Sequence, residues 1–143
     1  MKKVLAIITA ITLLFSVVTC FAETADTEIR VKLNGEELAF DQGPILVDEK
    51  PMIPLRAVFE KMGASISWDN DTETVVAMCR DTIVMIQIGN EKMFKLDEAI
   101  VLETPAMLVN DRTLIPVHAI TDIWGCNIEW NSETNEVVII GVE

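Results

Sequence analysis

The chain has 143 residues, half of them hydrophobic, with 11 Lys+Arg against 23 Asp+Glu and a formal charge of −12. That length fits one domain or two very small ones, and the apolar share excludes a wholly disordered chain. The acidic balance argues against a nucleic-acid binder, which must neutralise phosphates with basic side chains, and one histidine with three cysteines leaves little material for a transition-metal site or a histidine-based triad.

Residues 1–22 form an address. Lys2 and Lys3 make a basic start, Val4 to Val18 is an almost unbroken apolar run, and Cys20-Phe21-Ala22 ends in a small-residue cleavage pattern. This reads as a secretory signal peptide, cleaved near Ala22. The protein is then secreted, extracellular or associated with the cell wall. Two alternatives compete with cleavage. The run is about long enough to span a bilayer as an anchor, and Cys20 is an acylation candidate that Thr19 and Phe21 suit poorly. Cleavage after Ala22 leaves 121 residues and takes away both lysines, deepening the charge from −12 to −14. Self-repulsion keeps such a chain soluble and off anionic membranes, with cations or basic groups as natural partners. Residues 23–28 are polar and read as a flexible lead-in.

From residue 29 onward the pattern is β-rich. Ile29 to Leu33 and Glu37 to Phe40 flank Asn34-Gly35, the strongest short hairpin signal. Short strands follow at Ile45 to Val47 and Met52-Ile53. Pro54 then opens a helix at its first turn, where a missing N–H costs nothing. Leu55, Val58, Phe59 and Met62 make one apolar stripe, and Gly63 is placed as a left-handed cap. Ala64 to Trp68 alternates as a strand, Asp69 to Thr72 supplies turn chemistry, and Thr74 to Met78 returns. Thr82 to Ile88 alternates as another strand before Gly89-Asn90. Lys92 to Leu96 and Ala99 to Leu102 read as a hairpin around Asp97-Glu98.

The second half then repeats the first. Residues 46–76 align without a gap onto residues 108–138, a shift of 62, and 11 of the 31 pairs are identical. Pro54/Pro116, Gly63/Gly125 and Trp68/Trp130 are among them, while Lys50/Arg112 and Asp69/Asn131 are conservative. The second helix runs from Pro116 to Trp124, capped by Gly125. The hairpin after it pairs Asn127 to Trp130 with Glu136 to Ile140. A repeat is one supersecondary unit used twice. Units of about sixty residues bury little surface alone, so the two are expected to share a core. The expected fold is α+β: two tandem repeats, about 29–80 and 81–143, of antiparallel β-hairpins plus one short helix each, with the helices packed on the sheet.

These residues carry a family resemblance. Val47-Asp48-Glu49-Lys50-Pro51-Met52-Ile53-Pro54-Leu55-Arg56, Met62-Gly63-Ala64 and Trp68-Asp69 resemble the signature of the copper amine oxidase N-terminal-like domain. This is also called the stalk domain, common in exported proteins of Gram-positive bacteria. Val109 to His118, Trp124-Gly125-Cys126 and Trp130-Asn131 repeat the pattern, and the resemblance covers 29–143. It implies a non-catalytic extracellular module, similar to an appendage of the oxidase and not to its copper-binding part. The second copy departs from the pattern at His118, where the motif has arginine, and at Trp124-Gly125-Cys126, where it has Leu-Gly-Ala.

The candidate site residues differ in the chemistry they offer. His118 invites a metal or acid–base role, but the repeat shift places it on Arg56, so both read as first-turn polar residues bonding a neighbouring loop or carboxylate. One imidazole cannot assemble a copper site within a chain, and without any tyrosine there is no precursor for a quinone cofactor. No cofactor and no metal are expected. Asp69, Asp71 and Glu73 alternate like a calcium loop but lack its glycine and its distal bidentate glutamate. Trp68 and Trp130 sit at strand ends, where they seal a core or offer a platform to sugar rings. Pro54, Arg56, Gly63, Pro116, His118 and Gly125 are structural motif positions. Cys79 and Cys126 have the partner count for one disulfide, but both lie in apolar strand-like runs, where a buried free thiol acts as a small hydrophobe.

The reading that results is a non-enzymatic, exported stalk-like module, binding or spacing at the cell envelope, with an envelope or protein partner. A carbohydrate or peptidoglycan binder using exposed tryptophan is the alternative. An enzyme is a remote third, since it would need polar groups converging from both copies.

Overall fold

The computed structural model describes residues 28–141. The expected signal peptide 1–22, its Cys20 and nearly all of the lead-in lie outside the described residues. Thirteen strands and two helices follow in chain order. The first copy comprises β1 (Arg30–Leu33), β2 (Glu36–Glu37), β3 (Ile45–Val47), β4 (Lys50–Pro54), α1 (Leu55–Lys61), β5 (Ser65–Asp69) and β6 (Thr74–Cys79). After β7 (Thr82–Gln87) come β8 (Lys92–Lys95), β9 (Glu98–Val101), β10 (Met107–Val109), β11 (Arg112–Pro116), α2 (Val117–Trp124), β12 (Asn127–Asn131) and β13 (Glu136–Ile140).

Half of the described residues are in strands and 13% in helices, so the fold is mostly β and not the expected α+β. Nor does each repeat carry a helix packed on a sheet of its own. The strands form three sheets, ordered β12-β13-β1-β2, β10-β11-β4-β3 and β5-β6-β7-β8-β9. Two physical facts account for the difference. At 7 and 8 residues the helices make about two turns each, too short for a layer. The sheets are also assembled by long-range pairings, which local periodicity does not encode.

The middle sheet is an internal two-fold. Ile53 of β4 stands opposite Ile115 of β11, its own equivalent under the shift of 62, flanked by Leu114↔Pro54 and Pro116↔Met52. The first of these flanking pairs maps onto the second under the same shift. Each helix lies against the other copy's middle strand, α1 on β11 and α2 on β4. The repeat shift also extends beyond the region where identities made it visible. It carries β1 onto β8 and β2 onto the start of β9. Each outer sheet therefore joins the late hairpin of one copy to the early hairpin of the other. In one, β1 pairs directly and in parallel with β13, Val31 opposite Val137. In the other, β7 is inserted between, so Val75 faces Ile86 and Ile86 faces Met93 in the same phase.

Local chemistry builds the parts. Asn34 and Gly35 take φ of 49° and 84°, the left-handed pair of a tight hairpin turn. Asp48-Glu49 and Asn110-Asp111 do the same at the equivalent turns of the middle sheet. Pro54 and Pro116 end β4 and β11 at φ −61° and −59°, and the helices begin one residue later. Gly63 at φ 86° and Gly125 at φ 72° reverse the chain after each helix. The apolar stripe faces inward: Leu55, Val58 and Phe59 from α1, and Val117, Ile120 and Ile123 from α2, join one continuous core. Trp124 packs edge-on against Phe59 with ring centres 5.4 Å apart. No polar or charged side chain is buried among the described residues. Cys79 and Cys126 are both free thiols, half-buried and buried. Burial pushes the Cys126 thiol up.

Candidate functional site

A cleft of about 650 Å³ opens where α1, β5 and the β10–β11 turn meet. Arg56 and Glu60 line it from one face of α1, Trp68 from β5, Glu73 from the β5–β6 turn, and Asp111 and Arg112 from the second copy. Strand alternation puts Ile66 and Trp68 on the same side of β5, toward the cleft. Trp68 keeps 37% of its surface exposed there. Arg56 lies one helical turn from Glu60, Nη1 to Oε1 3.8 Å, with both side chains more than half exposed. Such a pair orients its members weakly and leaves the guanidinium open to another acceptor.

The rim is held by ion pairs that sequence reasoning missed. Arg112 donates to Asp41 Oδ2 through Nε at 3.1 Å and through Nη2. That hydrogen bond, reinforced by the guanidinium charge, holds the Asp41 carboxyl below the ordinary carboxylate range. Across the two-fold, Lys50 Nζ meets Glu103 Oε2 at 3.0 Å. The lysine hydrogen bond and charge lower Glu103, with a smaller contribution from His118. The signal was available: Lys50 and Arg112 align under the shift of 62, and extending it to Asp41 gives Glu103.

The two copies therefore build related but unlike surroundings. His118 takes the Arg56 position, exposed at the start of α2, with Glu103 near enough to feel its charge. Trp130 takes the Trp68 position but is half-buried against the core. The two tryptophans lie on different outer sheets, so they form no common platform. Pro54 and Leu55 line the cleft beside Arg56, whereas Gly63 and Gly125 serve the helix ends. Among the described residues, no three His, Cys, Asp or Glu side chains gather as a metal group. The acidic β5–β6 turn spends its first carboxylate internally: Asp69 Oδ1 accepts the Asp71 N–H at 2.9 Å. Asn131 Oδ1 does the same for the Glu133 N–H at 2.9 Å. Hydrogen bonds from the Thr72 side chain and the Asp71 backbone lower the Asp69 pKa.

A pH dependence follows from these groups. A carboxylate whose pKa is depressed on folding stabilises the native state above its unfolded value, and that contribution fades as pH falls through the folded value. Asp41 and Asp69 start from 3.8 and Glu103 from 4.5, so the loss lies below those values. The melting temperature is expected to hold from pH 7 to about pH 5 and to drop below about pH 4. Calorimetry across that range checks it, and a melting temperature unchanged down to about pH 3 would show that these carboxylates contribute nothing to the native state.

A family model described as the copper amine oxidase N-terminal domain matches residues 32–139. The match begins inside β1 and ends inside β13, so it spans all three sheets. No curated protein matches the chain.

Proposed function

The chain belongs to the copper amine oxidase N-terminal domain family, and from that membership we propose an exported, non-catalytic stalk-like module that serves at the cell envelope as a spacer or binding unit. The matched domain is the stalk-like N-terminal one, without the oxidase's catalytic domain. Export rests on the charged start and apolar run of residues 1–22.

One observation carries the spacer role. The first and last strands of the domain, β1 and β13, are hydrogen-bonded in parallel from Arg30↔Glu136 to Leu33↔Ile139. Tension that enters before Arg30 and leaves after Ile140 slides one strand along the other. All the ladder bonds then carry load together instead of opening one by one. Arg30 N also donates to Asn135 O at 2.9 Å and Gly141 N to Asn34 Oδ1 at 2.9 Å, clamping both ends of the ladder. Single-molecule stretching tests this. Pulling between attachments at residues 28 and 141 should require clearly more force than pulling between 28 and 135, which peels the same ladder from one end. Equal forces would remove the support for a load-bearing spacer.

Trp68 favours a second reading, carbohydrate binding in the cleft, because its partly exposed ring lines the same cleft as Arg56. Titration with peptidoglycan fragments separates the two. A binder shows saturable heat that Trp68→Ala abolishes while the melting temperature is kept, and a spacer shows none.

A further inference from the structure

The five-stranded sheet has an anomaly on its solvent side. β7 reads Thr82-Ile83-Val84-Met85-Ile86-Gln87, apolar on both faces, although only Val84 and Ile86 reach the core. A sheet with one wet face normally alternates apolar and polar residues. Here Ile83 and Met85 are each 42% exposed, and their neighbours in register extend the patch. Met78 of β6 lies beside Ile83, and Val76, Met85, Phe94 and Ala99 form one line across four strands. Ser65 and Ser67 of β5 turn their hydroxyls back to the Met78 and Val76 carbonyls, at 3.5 and 3.4 Å. The exposed apolar surface is roughly 500 Å², near the top of the range for a monomer's largest patch.

The internal two-fold supplies a control. The other outer sheet keeps apolar Val138 and Ile140 at the positions of Val76 and Met78, but is polar or charged at the remaining equivalents. Phe94 corresponds to Lys32, Ala99 to Glu37, Ser67 to Glu129 and Leu96 to Asn34. Lys32 Nζ even pairs with Glu136 Oε2 at 3.3 Å across that face. The β8–β9 part of the patch, with Phe94 and Ala99, and the inserted β7, with Ile83 and Met85, are what set this face apart from its counterpart.

We propose that this face is a homodimer interface, closed by a second copy of the chain packing its five-stranded sheet face to face with the first. Charge selects the occupant. The chain is strongly acidic, so two copies repel over most of their surface, and close approach is cheapest where Ser65, Ser67, Val76, Met78, Ile83, Met85 and Phe94 bring no charge. A basic partner would find no carboxylate on those side chains to pair with. Two-fold packing of one patch on itself is self-complementary, and Met78 and Met85 have the flexible side chains that fit such a surface to its own copy. Two such faces bury on the order of 1,000 Å² in total, at the lower bound for a specific interface.

Sedimentation of protein produced from the full sequence in a secreting host, at about 5 to 500 μM, tests the proposal. A reversible monomer–dimer equilibrium is expected, tightened by added salt because screening weakens the acidic repulsion. M85K combined with F94K should weaken it at least tenfold with unchanged circular dichroism and melting temperature, since both positions are exposed. Lys32→Ala on the other outer sheet should leave it unaltered. A monomer at every concentration, a dimer weakened by salt, or a dimer indifferent to M85K/F94K would overturn the proposal, and a different occupant of the face would show as the first of these.

Discussion

Truncating Ile53 to alanine is expected to cost about 2–5 kcal/mol of unfolding free energy, and Ile115→Ala the same within about 1 kcal/mol. Both side chains are fully buried and face each other across the β4–β11 pair that joins the copies. Each truncation opens the same cavity from opposite sides of the internal axis, which is why the two costs should match. The double variant should depart from additivity by about 0.5–3 kcal/mol, as residues in contact do. Urea unfolding followed by tryptophan fluorescence and by circular dichroism measures all three. The two signals should coincide in one transition. Every sheet contains strands of both copies, so neither copy can unfold and leave the other's sheets intact. Separate transitions for the two copies would contradict the interlocked architecture.

Val31→Asp is the second substitution with a large expected effect. Val31 is fully buried in β1 beside Val137 of β13. A carboxylate there has no cation within the core to meet it, and burying an uncompensated charge costs about 3–5 kcal/mol or more. The strand it disrupts is the only partner β13 has on that side, so loss of β1 exposes an unpaired edge with Val137 and Ile139 behind it. The variant should therefore aggregate as well as melt early. Lys32→Ala, one residue along the same strand but facing solvent, removes only the Lys32–Glu136 contact and should stay within about 1 kcal/mol of the parent. Thermal melts of the two variants side by side check the contrast. Similar losses for both would mean that β1 is not anchored through its inward face.

Parts of this architecture are legible in the sequence. Asn34-Gly35 marks a turn because few other pairs adopt two successive left-handed residues, and the backbone there does so. The stripe of Leu55, Val58 and Phe59 marks a buried helix face because three- and four-residue spacing puts them on one side. In the candidate site, Trp68 and Arg56 were legible as chemistry. Their shared cleft was not, because Asp111 and Arg112 enter it from the other copy. Trp130 looked equivalent to Trp68, yet it is packed against the core instead of open to a ligand. The misreading as α+β has the same origin. Helical periodicity shows that a helix exists, while the proportion and grouping of strands depend on partners far away in the chain.

By itself the sequence determined the short-range features: the turns, the helix ends, the alternating strands and the presence of two related copies. Each is set by backbone sterics and side-chain period within a few residues. Only the tertiary structure decided that β1 lies parallel to β13 and that β4 meets β11, pairings that span more than sixty residues. It also decided which face of β7 is core and which is bare. A strand that is apolar on both sides reads the same from either, and what is buried depends on the whole chain's packing against one face of it.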